Sequence, residues 1–230
     1  MNFYKITNEG ENHNDLQYKT GLNIDILPWN PTGDCEPGGI YFSREDILAF
    51  MEYGPWIRQV TIPEGVEVYE NPRKPKKWKA HEVMLGERRR MDVSVIKGLL
   101  EEGADVHAQN DRALRWSSKN GHLEIVKLLI RHGAYIHAAD DWAFIWASTR
   151  GHLEIVKLLI KHGADIHVHS NYALRRASEN GQLETVKFLV ERGADIHAEN
   201  NHALVMANDN RHSETVKFLL ECGAKGINYY

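Results

Sequence analysis

The ten residues GHLEIVKLLI stand at 121–130 and return, letter for letter, at 151–160. Stepping through the chain every 30 positions extends the match. MDVSVIKGLLEEGADVHA occupies 91–108, GHLEIVKLLIRHGAYIHA 121–138 and GHLEIVKLLIKHGADIHV 151–168. GQLETVKFLVERGADIHA then fills 181–198, and RHSETVKFLLECGAKGIN fills 211–228. Self-similarity at this period is the signature of a stacked array, and it outranks every other signal in the chain.

Each copy has one anatomy. LEIVKLLI has apolar residues at helical spacing, with Leu123, Val126, Leu129 and Ile130 on one side and Glu124 and Lys127 opposite. A glycine follows each such helix, at 103, 133, 163, 193 and 223, where a left-handed residue stops it. Polar pairs come next: Asn110-Asp111, Asp140-Asp141, Ser170-Asn171 and Asn200-Asn201. Their side chains are the kind that cap a following helix. Short helices are expected at RALRWSSKN, WAFIWASTR, YALRRASEN and HALVMANDN, with small residues such as Ala113, Ala143, Ala173 and Ala203 permitting close approach. Neither helix of a unit can bury its apolar stripe alone, so like units must stack on like.

GHLEIVKLLIKHGADIH resembles the second half of an ankyrin repeat. The first half departs from that family: the period is 30 rather than 33, and RALR, WAFI, YALR or HALV replaces Thr-Pro-Leu-His. The missing residues fall in the hairpin that projects as a finger. The resemblance implies a mainly α solenoid of about five helix pairs, over 80–110, 111–140, 141–170, 171–200 and 201–230. Both ends look altered. HEVMLGERRR (81–90) reads as a charged helix replacing the first short one, with Arg88, Arg89 and Arg90 solvating a cap in preference to forming an anion site, and AKGINYY (224–230) lacks a next unit.

Nothing in 1–79 has the period. YKIT, IRQVTI and VEVYE alternate like strands, and Pro63-Glu64-Gly65 would turn between the last two. NPTGDCEPGG (30–39) is a loop by composition. Ser43-Arg44-Glu45-Asp46 has capping-box form ahead of a helix REDILAFMEY, and RKPKKWK (73–79) reads as a linker or a first contact with the array. These features make 1–79 a small α+β head domain. YKITN, then WNPTGDCEPGGIYFS, then YGPWIRQVTIP resembles a head found on ankyrin-repeat proteins of giant DNA viruses.

Composition removes several function classes. Lys and Arg number 28 against 32 Asp and Glu, so the chain lacks the strongly basic balance of a nucleic-acid binder. No stretch approaches the ~20 apolar residues of a membrane helix, and the polar start has no secretory apolar run. Cys35 and Cys222 lie far apart, which argues against a disulfide framework. The expected setting is intracellular, in the host cytoplasm.

His107, His137, His167 and His197 recur once per unit. One metal ion needs all its ligands ~2 Å away, whereas stacked helical units repeat every ~8–10 Å. Hydrogen bonding in the turn between units is therefore the expected role, and no metal or cofactor is expected. Trp116 and Trp146 are equivalent, and Arg176 and Met206 continue their column. Trp142 and Tyr172 form a second column, flanked by Arg112 and His202. The resemblance puts the first column on the exposed, concave face of the short helices. Trp, Tyr, Arg and Met are residues of interface hot spots. The competing reading is that they fill space left by the missing finger. Lys119, Arg150, Glu179 and Asp209 give that face a basic first half and an acidic second half, a polarity that can set a partner's register.

No acid–base–nucleophile cluster stands apart from the repeat pattern, so no catalytic residue is assigned. The expected function is a non-enzymatic, protein-binding scaffold. The alternative is an enzymatic head delivered by the repeats. His13, Tyr41, Glu67 and the stretch GGIYFS are residue types similar to those of ADP-ribosyltransferases.

Overall fold

The computed structural model describes residues 2–32 and 36–225. Ten strands come first: β1 (Phe3–Thr7), β2 (Asn12–His13), β3 (Leu16–Gln17), β4 (Gly21–Ile24), β5 (Ile40–Phe42), β6 (Trp56–Thr61), β7 (Val68–Asn71), β8 (Lys77–Ala80), β9 (Glu82–Leu85) and β10 (Arg89–Arg90). A 3-10 helix, Glu45–Tyr53, lies between β5 and β6. Nine α-helices follow: α1 (Val93–Glu101), α2 (Ala108–Lys119), α3 (Leu123–Arg131), α4 (Ala138–Thr149), α5 (Leu153–Lys161), α6 (Val168–Glu179), α7 (Leu183–Glu191), α8 (Ala198–Asp209) and α9 (Ser213–Glu221). The chain divides into two units, residues 1–113 with 131–134 and residues 114–130 with 135–230.

The strand-rich unit has two principal antiparallel sheets. One runs β1-β6-β9-β4, with β10 also pairing β6. The other runs β5-β8-β7. Tyr4 and Ser43 exchange backbone hydrogen bonds of 2.8 Å, joining β1 to the end of β5. Tyr18, Ile40, Phe42, Val60, Ala80, Val83 and Leu85 make a core between them.

Several sequence expectations are corrected here. The charged helix expected over 81–90 is β9 and β10, so the sheet continues past position 79, and the first repeat contributes only its long helix, α1. Arg88 lies over the Trp56 ring at 4.2 Å and 3.6 Å from Glu11 Oε2. RKPKKWK is no simple linker: its end enters β8, where Lys79 is fully buried among Trp29, Tyr41 and Tyr69 with its Nζ donating to the Thr32 carbonyl. The capping box does not form. Ser43 Oγ donates to the Lys76 carbonyl and Asp46 accepts from the Lys76 N–H, so both side chains secure the strand-side loop instead. The Pro63-Glu64-Gly65 turn is present, closed by Val66 N–H on the Pro63 carbonyl. Gly33, Asp34 and Cys35 of the expected loop and residues 226–230 of the expected end lie outside the described residues.

The helical unit repeats one pattern. Short helices α4, α6 and α8 pack successively side by side, each against its own long partner α5, α7 or α9. Of the expected stripe on α3, Val126 and Leu129 are buried and Leu123 and Ile130 lie half-buried at its margins, while Ile125 and Leu128 complete the core face. α5 buries Ile155, Val156 and Leu159 in the same register.

The polar pairs do not cap helices. Residues 109–111, 139–141, 169–171 and 199–201 all have positive φ, a full left-handed turn in every unit. Such a conformation costs L-residues roughly 1–2 kcal/mol each, least for Asn and Asp. Its last residue is the compensation. Asp141 Oδ1 takes His137 Nδ1 at 3.1 Å and the Asp165 N–H of the next unit at 3.4 Å. Asn171 likewise takes His167 Nδ1 at 3.2 Å and the Asp195 N–H at 2.9 Å. Asn201 takes His197 at 2.8 Å and the Lys225 N–H at 3.3 Å. In the strand-rich unit His107 meets Asp111 at 3.1 Å. The histidine column thus hydrogen-bonds in the inter-unit turn, as its spacing implied, and among the described residues no cluster could hold a metal ion.

A second contact locks two of the bends. His152 Nε2 reaches the Lys119 carbonyl at 3.1 Å, and His212 Nε2 reaches that of Glu179 at 2.9 Å. Both rings pass over the bend glycine of the preceding unit. A Cβ on Gly181 (φ +66) would fall 2.4 Å from His212 Nδ1.

Candidate functional site

The outward side of the short helices is set by what the inward side needs. Ala143, Phe144, Ala147 and Ser148 of α4, and Ala173, Leu174, Ala177 and Ser178 of α6, are buried. At 3.6 residues per turn, positions 142 and 146, then 172 and 176, share the remaining face. Trp116, Trp142, Trp146, Tyr172, Arg176 and Met206 are all half-buried: neither sealed in the core nor fully exposed.

Five of the sequence-selected residues come together. The Lys119 ammonium lies 4.6 Å above the Trp146 ring. Trp146 packs on Trp142 with centroids 5.4 Å apart, and Trp142 meets Tyr172 edge-on at 6.4 Å. Arg176 approaches Tyr172 at 5.9 Å and is ion-paired with Glu179. The result is one cationic–aromatic cluster along α2, α4 and α6. Trp116 packs on His122 at 5.0 Å, and Met206 occupies the matching place on α8.

Two residues depart from expectation. Arg112 is ion-paired with Glu52 of the 3-10 helix and is held by the strand-rich unit. Arg150 is one step out of the charged column, as the exposed C-cap of α4. The true equivalent of Lys119 is Thr149, buried with its hydroxyl donating to the Ile145 carbonyl at 2.7 Å. The basic-to-acidic gradient therefore reduces to Lys119, Glu179 and Asp209, and Glu179 is already neutralised by Arg176. Sequence reasoning missed Arg175. It stacks on Tyr172 at 5.0 Å and donates to His202 Nδ1 at 3.2 Å and the His169 carbonyl at 2.9 Å. Its position three residues after Tyr172 was the available signal.

The head holds a second concavity, a cavity of about 220 Å³. His13 and Tyr41 both line it. Glu67 does not join them; its carboxylate accepts the Trp29 indole N–H at 2.9 Å.

Repeated helix pairs joined by glycine bends, each stapled to the next through a turn side chain, define a helical-repeat solenoid. The family model for ankyrin repeats matches residues 88–170 and 144–229, and the chain belongs to the ankyrin repeat family. Several similar proteins are viral. One ankyrin repeat protein of Acanthamoeba polyphaga mimivirus is 37% identical over 135 residues, 52% of this chain and 44% of that protein. An uncharacterized protein of the same virus is 34% identical over 133 residues, 54% of this chain and 93% of that one. Another mimivirus ankyrin repeat protein is 33% identical over 129 residues, 54% of this chain and 63% of that one. The chain thus spans 44% and 63% of the two named ankyrin relatives. Ankyrin repeats generally mediate protein–protein interaction, and among the described residues no helix is long and apolar enough to cross a membrane.

Proposed function

We propose that this chain is a non-enzymatic scaffold of the host cytoplasm that captures a protein partner on the outward face of its short helices. The observation that supports this reading is the Lys119–Trp146–Trp142–Tyr172 cluster. Large rings stand half-open to solvent beside cations, on helices whose own packing needs are met by alanine, leucine and serine. Burial of such rings under a partner, with an arginine alongside, is how a few residues carry most of an interface's free energy.

The test is the double variant Trp116→Ala/Trp146→Ala, with Glu184→Ala on α7 as the control. Partner capture by crosslinking from infected cells should vanish for the double variant and persist for the control, while the melting temperature changes by only a few degrees. Retained capture with a large fall in melting temperature would assign the indoles to packing. An enzymatic head is the second reading, favoured by one observation, that His13 and Tyr41 share a cavity. NAD consumption by the full chain, abolished in Tyr41→Phe, would establish it.

A further inference from the structure

The charged groups buried in the strand-rich unit are not all partnered alike. Arg58 and Glu11 satisfy each other. Lys5 does not have such a partner. It lies on β1 with 8% of its surface exposed, and its Nζ donates to the Tyr41 carbonyl at 2.9 Å beneath the Tyr18 ring, 4.5 Å from the centroid. Among the described residues no carboxylate is within ion-pair distance of it. Asp25 acts on it only through space, and the Asp25 oxygens already accept from Leu27 N–H at 3.0 Å and Gly39 N–H at 2.5 Å. Taking an ammonium out of water without a counter-charge is costly, so the surroundings of Lys5 favour an anion.

Those surroundings are the 220 Å³ cavity, which Lys5 lines. Six of its 14 other lining residues are tyrosine or phenylalanine, Tyr18, Tyr41, Phe50 and Tyr53 among them, with His13 and Lys77 adding basic groups and the remainder aliphatic or neutral polar. Aromatic walls favour a flat apolar body. A cavity of ~150 Å³ accommodates a benzene ring, so this one has room for a single ring bearing one small anionic group. Burial lowers the Lys5 pKa to about 8, with Asp25 opposing, which leaves the amine mostly cationic at neutral pH.

We propose that the head binds a single-ring aromatic carboxylate, with the carboxylate on the Lys5 ammonium and the ring between the tyrosine and phenylalanine walls. This site is independent of partner capture by the repeats, and its ligand bears a carboxylate on the ring where the nicotinamide of the enzymatic reading bears an uncharged carboxamide.

The experiment is saturation-transfer NMR on the full chain, with benzoate and its neutral counterpart benzamide as probes. Benzoate should receive saturation from the protein and bind about tenfold or more tightly than benzamide, because a charge-assisted contact is roughly twice as strong as a neutral one. Lys5→Met should abolish benzoate binding. Tyr53 is 59% exposed at the cavity, so Tyr53→Ala preserves the fold and should weaken benzoate severalfold even if Lys5→Met fails to fold. No saturation of benzoate, or equal binding by folded Lys5→Met, would overturn the proposal. Benzamide binding as well as benzoate would also overturn it, and would turn attention to the enzymatic reading.

Discussion

The two halves of the molecule bury polar groups by opposite means. Among its described residues the array buries, of polar side chains, only the short ones of Ser, Thr, Asn and Asp, and it satisfies the turn residues with partners four and 24 positions away. The strand-rich unit buries Lys5, Glu11, Arg58 and Lys79, whose partners come from up to 47 positions away. Short polar groups at a fixed interval can be copied unit by unit, so the array's stability grows by repetition. Full charges cannot be copied this way. Each needs a dedicated enclosure, and a unit that builds several has a specific interior, with a cavity beside one of them.

The comparison is broken most severely at Arg58. Its Nε and Nη2 grip the two Glu11 oxygens at 2.8 Å each, and its Nη1 donates to the Gly86 carbonyl at 2.6 Å. Arg58→Met strands a buried carboxylate and should cost about 3–5 kcal/mol, measured by urea denaturation of the strand-rich unit's signal. The same pair sets an acid limb. Hydrogen bonding from Arg58 is the main force holding the Glu11 pKa below 4.5; burial opposes it, and the Thr7 hydroxyl assists. A depressed carboxyl contributes stability fully above its unfolded value and loses it as pH falls through the folded one. Wild type should therefore lose stability from about pH 4.5 downward, and Arg58→Met should lack that component. An unchanged acid limb would show the pair contributes nothing there.

In the array the matching blow is Asn171→Ala. It removes a residue tolerant of left-handed backbone (φ 60) and leaves the Asp195 N–H and the His167 ring without their acceptor. About 2 kcal/mol is expected, from the backbone strain and one orphaned, part-buried donor. Asn171→Asp should cost well under half as much, because Asp141 performs the same role one unit earlier. Equal losses for the two variants would mean that the side-chain acceptor is not what holds successive units together.

What could be read from sequence follows from the same contrast. The array was legible because every unit answers the same packing problem, so period, glycine stops and the histidine role all appear in one dimension. The left-handed turn was not. Asp140-Asp141 and its later counterparts have the composition of helix caps, and only the neighbour's N–H, 24 residues on, decides that they serve as staples. Arg150 was misplaced because charge was read without holding the register that puts Thr149 in the column. In the head, β9 and β10 looked like a charged helix because their partners, β4 and β6, lie far back in sequence and supply the pairing that local propensity does not. The cluster of Trp142, Trp146 and Tyr172 was visible as columns, whereas the cavity beside Lys5 depends on several separate segments and had no local trace.

The smallest effect separates backbone strain from contact within the array itself. Gly151 and Gly181 both have positive φ, +74 and +66, and an added Cβ meets the next unit at 2.1 Å and 2.4 Å. Distance alone would make Gly151→Ala the worse. The atom met there, however, is Oε1 at the free end of Gln182, which can swing aside, whereas at 181 it is Nδ1 of the His212 ring, whose Nε2 is held by the Glu179 carbonyl. Arg211 occupies the corresponding bend with φ 62, so the backbone itself admits a side chain. Gly151→Ala should therefore cost only the left-handed penalty, about 1–2 kcal/mol. Gly181→Ala should cost roughly one hydrogen bond more, about 1 kcal/mol. Adding His212→Ala to each should erase that excess at 181 and leave 151 untouched, a difference that a double-mutant cycle reads directly. If the excess persists without the imidazole, the bend glycines answer to backbone geometry alone, and the histidine contact is a consequence of stacking rather than one of its causes.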